Sequence, residues 1–174
     1  RYSTDSHWLV PHFEKMLYDQ AMLAMAYIET YQATGIEEFE ETAKEVFTYV
    51  LRDMTDQKGG FYSAEDADSE GVEGKFYVWT EDEIRLALKG DEADLIINVY
   101  SIDKTGNFRD EVSGENTGAN ILHLDKSLTE VAFKNKESVD GLKERVEVAR
   151  QKLFDIRNKR IHPHKDDKIL TDWN

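Results

Sequence analysis

The sequence contains no cysteine and only two prolines among its 174 residues. Without cysteine, the chain itself can form no disulfide scaffold, thiolate zinc site or cysteine nucleophile. It also has no apolar run near the ~20 residues that a membrane-spanning helix needs. The net charge of −14 opposes binding to phosphate backbones and to anionic membrane surfaces. We therefore expect a soluble protein that binds neither nucleic acid nor a membrane.

Other signatures are missing as well. The chain lacks the nucleotide-binding glycine motifs, the nucleophile elbow of serine hydrolases and the paired histidines of zinc proteases. We therefore predict no metal and no cofactor. The opening residues show neither the apolar core nor the small-residue cleavage site of a signal peptide, which favours a cytoplasmic location.

The acidity is concentrated in one segment. Residues 61–115 carry five basic and fifteen acidic side chains, which gives −10, whereas residues 116–174 are slightly basic. This middle segment also contains GGFYSAEDADSEGVEGKFYVWT, the most unusual run of the chain. We look there first for a ligand-binding site.

Most of the chain has helical periodicity. Apolar residues recur at steps of three and four over residues 13–34, 39–54 and 139–158, which predicts three long helices. The first two should form an antiparallel hairpin, because only a few residues around Gly35 connect them. A T-x-x-E capping box at Thr80–Glu83 predicts a short helix that ends near Gly90, and Ser138 is a suitable N-cap. A further short helix is predicted over 92–100 and one or two turns over 129–134.

The glycine-rich segment breaks this period. Its apolar residues cluster at Phe61–Tyr62 and at 76–79, which is typical of strands. We predict a long β-hairpin-like excursion with an acidic tip, inserted in an otherwise all-α architecture.

The acidic tip has three interpretations. Asp66 and Asp68 begin a run that resembles a calcium loop, but the twelfth position is Tyr77 and the flanking helices are missing. A solvated turn is the plainest alternative. The third is a sugar-binding loop, because carboxylates accept hydrogen bonds from sugar hydroxyls and flat rings stack on apolar sugar faces.

The histidines leave alternatives open. His7 and His12 flank Trp8 just before the first predicted helix, where the helix dipole would favour a neutral imidazole that can act as a base. A purely structural role for these histidines is the alternative. Pro163 separates His162 from His164 and turns the two imidazoles apart, which favours a surface loop over metal chelation. Glu14, Tyr18 and Asp19 fall in the first turns of that helix, where acidic residues are ordinary.

Three segments carry a family resemblance. RYSTDSHWLVPHFEKMLYDQA at 1–21, GGFYSAEDADSEGVEGKFYVWTEDEI at 59–84 and DDKILTDWN at 166–174 resemble motifs of the thioredoxin-domain-containing, spermatogenesis-associated protein 20-like family. The resemblance implies a helical α/α toroid like those of N-acylglucosamine 2-epimerases and six-hairpin glycosidases, preceded by a thioredoxin-like domain. It implies a carbohydrate-related function only by analogy of fold.

The resemblance also implies how the chain is organised. We expect residues 1–174 to be a single-domain fragment that holds the first half of the toroid, without the thioredoxin-like domain and the later hairpins. The cut edge would expose apolar helix faces and favour self-association. A non-catalytic scaffold serving the thioredoxin-like domain is the alternative to an enzyme.

A central cavity in such a toroid would bring the candidate residues together. An epimerase needs bases that move a carbon-bound proton, and a glycosidase needs two carboxylates. We therefore predict His12, Asp66 and Asp68 as catalytic candidates around a small-molecule, sugar-like ligand. The predicted substrate-binding residues are His7, Trp8, Tyr18, Glu65, Tyr77, Trp79, His123, Trp173 and Asn174.

Overall fold

Helices make up 46% of the computed structural model, which describes residues 2–109 and 114–174. The six helices in these ranges are α1 (Leu17–Thr34), α2 (Glu37–Asp53), α3 (Glu81–Ala87), α4 (Asp91–Val99), α5 (Leu128–Asn135) and α6 (Val139–Arg157). The strands are two residues each: β1 (Lys15–Met16), β2 (Ala64–Glu65), β3 (Asp68–Ser69), β4 (Val72–Glu73), β5 (Trp79–Thr80), β6 (Ala119–Asn120) and β7 (Lys165–Asp166). The expectation of a mostly helical chain is therefore confirmed.

The chain divides into two compact units. The first contains Tyr2 and residues 11–73 and 163–174, and the second contains residues 3–10 and 74–162. The expectation that residues 1–174 form a single domain stays a prediction. None of the helices in the described part of the chain is long and apolar enough to cross a bilayer.

In the first unit, α1 and α2 form the predicted helical hairpin. Gly35 ends α1 in the left-handed conformation, with φ 69°, and its N–H donates to the Tyr31 carbonyl oxygen. The predicted start of this helix at Phe13 is wrong, because α1 begins at Leu17. Phe13 and Leu17 are buried while the residues between them are partly exposed, so this segment is extended and pairs with β2.

A three-stranded antiparallel sheet lies beside this hairpin, in the order β1-β2-β7. Its strands come from three distant parts of the chain. Leu17, Val50 and Met54 form the adjacent apolar cluster, against which Phe61 and Trp173 pack.

In the second unit, α3, α4, α5 and α6 enclose the larger core. The buried stripe predicted for α6 is confirmed, because Leu142, Val146, Ala149 and Leu153 are all buried. Thr80 and Glu83 form the predicted capping box, and Ser138 caps α6 through the Gly141 N–H. A second capping box, between Ser127 and Glu130, begins α5.

The long hairpin predicted over 61–79 is wrong in its pairing. Phe61 bridges to Thr55, and Trp79–Thr80 pairs with Ala119–Asn120, so the two aromatic clusters have other partners. Only the tip is a hairpin, formed by β3 and β4. Strands this short find partners by tertiary packing, which local periodicity does not encode.

Candidate functional site

The sheet of the first unit has one face turned toward α2. Lys15 lies opposite Glu65, and Glu65 lies opposite Lys165. The Lys15 Nζ is 3.0 Å from the Glu65 Oε1, and these side chains are only 13% and 5% exposed. Lys15 also lies over the Tyr49 ring, 4.5 Å from its centroid. Glu65 was predicted to bind substrate, but on this face it is the partner of a buried ion pair.

The opposite face of the sheet carries different chemistry. Since side chains alternate along a strand, Asp66 points away from the face that holds Glu65. The Asp66 N–H donates to the His164 carbonyl oxygen at 2.8 Å, which extends the β2–β7 register by one residue. Glu14 directly precedes β1 and Asp66 directly follows β2, so the antiparallel β1–β2 pairing brings both residues to the same end of the sheet. Glu14, Asp66 and His164 thus form a row across three strands, which we call the sheet-end row.

The row is accessible. Asp66 and His164 are exposed and Glu14 is half-buried. Two carboxylates and one imidazole are therefore present at this end of the sheet.

A tight hairpin holds the next acidic residue beside the row. The Asp66 Oδ1 accepts a hydrogen bond from the Asp68 N–H at 3.2 Å. Glu70 and Gly71 both have positive φ, 54° and 74°, as a type I′ turn between β3 and β4 requires. Asp68 is exposed. The predicted acidic tip is therefore an ordered two-residue turn that fixes the backbone after Asp66.

His12 precedes the row on the first segment. The His12 ring stacks on the Tyr2 ring with a centroid distance of 4.7 Å and an interplanar angle of 13°. The backbone N–H of His12 donates to the Tyr2 carbonyl oxygen. The Tyr2 side of this stack is open, because Tyr2 is 61% exposed. A flat aromatic surface thus lies two residues along the chain from Glu14.

Three predicted residues of this unit lie toward the other end of β2. The rings of Tyr18 and Trp173 meet edge to face, 5.1 Å apart. The Asn174 side chain bonds both the N–H and the carbonyl oxygen of Phe61. Phe61 precedes β2 and Asp66 follows it, so these residues are not part of the sheet-end row.

The second unit holds the remaining predicted residues. Trp79 is 2% exposed and belongs to the core, with the Arg160 guanidinium 4.0 Å from its ring centroid. Burial lowers the pKa of Arg160, which donates to the carbonyl oxygens of Phe76 and Val78. The Tyr77 ring meets Phe76 edge to face.

His123 lies in a polar cluster of the same unit. Its Nε2 is 2.9 Å from the Asp125 Oδ1, and its Nδ1 is 3.1 Å from the Ile121 carbonyl oxygen. A hydrogen bond from Ser101 is the largest cause that holds the pKa of Asp125 below its usual range. His7 and Trp8 are exposed on the loop of residues 3–10.

Metal ligation finds no support in this geometry. Across residues 2–109 and 114–174, no three carboxylate or imidazole side chains are arranged to hold an ion. His162 instead tilts against the Phe76 ring, 4.6 Å away, and its Nε2 is 3.2 Å from the Asn158 carbonyl oxygen.

Sequence reasoning missed the roles of Glu14 and His164. Glu14 was assigned to the first turn of a helix, and His164 was treated only as half of a metal pair. The run from Phe13 to Leu17 does not alternate between apolar and polar residues, so its own pattern does not predict the extended segment that holds Glu14.

The comparisons with known proteins agree with the resemblance in the sequence. The chain is homologous over its full length to spermatogenesis-associated protein 20, with 39% identity to the human and 38% to the rat protein. An uncharacterized protein of Caenorhabditis elegans is 33% identical over 99% of the chain. No protein-family model matches the chain. The alignments cover 24–26% of these relatives, so the chain spans about a quarter of the length of the curated proteins it is similar to.

Proposed function

We propose that this chain is the carbohydrate-acting part of a larger cytoplasmic protein, with its site at the sheet-end row. The observation that carries the proposal is the position of Asp66, an exposed carboxylate at the same end of the sheet as Glu14, with its N–H bonded to the His164 carbonyl oxygen. Carboxylates accept hydrogen bonds from sugar hydroxyls, and the Tyr2–His12 stack offers a flat ring nearby along the chain.

Two chemistries fit these residues. In a glycosidase, Asp66 and Glu14 would serve as the carboxylate pair, one as nucleophile and the other as acid and base. The separation of their carboxyl groups would decide the outcome, since retention needs ~5–5.5 Å and inversion needs ~6.5–9.5 Å. In an epimerase or isomerase, His12 would remove a proton from carbon and return it.

The experiment uses the full-length protein and a panel of oligosaccharides and free sugars. Release of reducing ends reports hydrolysis, and incorporation of solvent deuterium at carbon reports epimerisation. For a hydrolase, Asp66→Asn and Glu14→Gln should each lower kcat by roughly 10²–10⁴-fold. For an epimerase, His12→Asn should abolish deuterium incorporation. Glu29→Gln on the exposed side of α1 is the matched control.

A lack of sugar binding or turnover across the panel would refute the proposal. So would Asp66→Asn and Glu14→Gln variants with wild-type turnover of a confirmed substrate. Equal losses in the Glu29→Gln control would trace the effect to net charge instead.

A second candidate is a non-catalytic scaffold attached to a thioredoxin-like domain. Large apolar side chains are exposed on both helices of the first unit, including Met22 at 67%, Met25 at 61% and Leu51 at 64%. Exposed large apolar side chains that lie together are a mark of interaction sites. If the chain is a scaffold, Met22→Lys and Met25→Lys should weaken self-association or docking to the rest of the protein, measured by sedimentation. Neither the wild type nor the variants should then bind sugar.

The resemblance supports two finer proposals about the whole protein. The helices of this chain would form the first half of an α/α toroid, and a thioredoxin-like domain would precede it. An experimental structure of the full-length protein tests both. A helical region that does not close into a ring would refute the first.

A further inference from the structure

A short loop in the second unit is fastened by a single carboxylate. The Asp5 Oδ1 accepts hydrogen bonds from the Ser3 hydroxyl at 2.6 Å, the Leu9 N–H at 3.0 Å and the Val10 N–H at 2.9 Å. The Asp5 Oδ2 accepts a longer one from the His7 N–H at 3.3 Å. These bonds hold the pKa of Asp5 below its usual range, the Ser3 hydroxyl being the largest cause.

The ends of the loop are also closed by backbone bonding. The Thr4 N–H donates to the Val10 carbonyl oxygen at 2.8 Å, and the Ser3 hydroxyl contacts the same oxygen. Asp5 therefore has its acceptor capacity filled from within the loop. The loop has a defined conformation set by its own hydrogen bonds.

At the tip of this loop, Trp8 combines an unfavourable backbone conformation with a solvent-exposed aromatic side chain. Its φ is 60°, in the left-handed region that bulky residues rarely adopt. Its side chain is 83% exposed, whereas Trp79 in the same unit is 2% exposed. A glycine at this position would avoid the backbone strain, and a polar side chain would avoid the exposure. Strain of this kind at an exposed aromatic residue points to a contact made with something outside the loop.

We propose that Trp8 is a stacking platform for a neutral pyranose ring, with Asp5 as its positioning residue. The proposal takes its ligand class from the proposed carbohydrate function and adds a binding position to it. An indole face attracts the C–H groups of a sugar ring, and these are most accessible when the hydroxyls are equatorial. Exposed Ser6 and His7 beside the ring supply polar groups for those hydroxyls. Because Asp5 is already satisfied, the loop offers no free carboxylate, which suits an uncharged sugar.

The test measures binding of cellotetraose and chitotetraose to the full-length protein by calorimetry, with indole fluorescence as a second readout. Mannotetraose, with one axial hydroxyl on each ring, is the comparison ligand and should bind more weakly. Trp8→Ala should weaken binding of the better ligand about tenfold, whereas Trp8→Tyr, which keeps an aromatic face, should stay within about threefold.

Four further variants separate the possible failures. Asp66→Asn should abolish turnover, whereas Trp8→Ala should raise KM with little change in kcat, so the stacking platform and the sheet-end row can fail independently. Asp5→Ala should weaken binding and lower the fluorescence anisotropy of Trp8, and Asp5→Asn, which keeps one acceptor oxygen, should restore part of both. Trp8→Gly should weaken binding about tenfold, as Trp8→Ala does, without lowering the melting temperature, because glycine adopts this φ without strain.

Wild-type affinity in Trp8→Ala would overturn the proposal. So would a Trp8→Gly variant with a clearly lowered melting temperature, because the ring would then be part of the fold. Binding of none of the three oligosaccharides would overturn it too, even if Asp66 were shown to act on another sugar.

Discussion

Replacing Lys15 with methionine should destabilise the first unit far more than the loss of an ordinary surface lysine. Lys15 and Glu65 are 3.0 Å apart, with side chains 13% and 5% exposed. Removing one partner of a buried ion pair costs about 3–5 kcal/mol, because the other charge stays buried without compensation. Since Lys15 keeps some exposure and methionine preserves the apolar stem, we expect a value near the lower limit, about 3 kcal/mol.

The assay is amide hydrogen exchange in the sheet, which reports the first unit directly. The Leu17 N–H is bonded to the Ser63 carbonyl oxygen and the Asp66 N–H to that of His164, so both exchange only after the sheet opens. A loss of about 3 kcal/mol corresponds to roughly 100-fold faster exchange at both amides.

The matched control is Lys44→Met on α2, which removes the same charge from an exposed pair with Glu40. It should change exchange by less than about threefold, because exposed pairs contribute ~0–1 kcal/mol. The double variant Lys15→Met/Glu65→Met should recover most of the lost protection, since neither charge then remains buried. Equal effects of Lys15→Met and Lys44→Met, or a double variant less stable than either single one, would refute this reasoning.

Three further predictions concern the second unit. Asn120→Asp should lower the free energy of unfolding by roughly 3 kcal/mol, measured by thermal denaturation, because the two N–H groups of the buried Nδ2 are shared among three carbonyl oxygens that a carboxylate would repel. A melting temperature within error of the wild type would contradict this prediction. Gly106→Ala should cost about 2 kcal/mol or more in the same assay, because φ is 85° and a Cβ would lie 2.6 Å from the Ala119 carbonyl oxygen; unchanged stability would show that the two segments separate easily. The pKa of Asp5 in the folded state is lowered from 3.8, so the ionised carboxylate stabilises the folded loop above that pH, and this stabilisation is lost as the pH falls through the lower folded pKa. In an acid titration, amide resonances of the loop should shift in that pH window. An Asp5→Asn variant should not show the transition.

The helices could be predicted from the sequence because their signals are local. A capping box at Thr80–Glu83 and a buried stripe from Leu142 to Leu153 each lie within one stretch of chain, and both are present in the structure. The start of α1 was misplaced because Phe13, Met16 and Leu17 fit a helical spacing, although the chain is extended before Leu17. Phe13 is buried in the first unit, and this tertiary burial favours the extended conformation over a longer helix.

The candidate site was predictable only in part. Asp66, Asp68 and His12 were singled out because of their residue types and their glycine-rich or aromatic neighbours. Glu14 and His164 could not be connected to them, because the connection depends on the register of two-residue strands far apart in sequence. Trp8 was noticed as an aromatic residue, but the left-handed backbone that holds it outward has no signature in the sequence.

The β1-β2-β7 sheet has a consequence for the order in which the chain folds. Its first two strands are connected by the α1–α2 hairpin, so they can pair early, whereas β7 follows the whole of residues 74–162. Closing a flexible loop of that length carries an entropic cost that grows only with the logarithm of its length but is larger than that of any hairpin in the first unit. Both parts of the second unit, residues 3–10 and 74–162, are synthesised before β7. The pairing of Lys165 with Glu65 should therefore be among the last native contacts to form, and a slow final folding phase should be sensitive to substitutions in β7 and insensitive to those in α5.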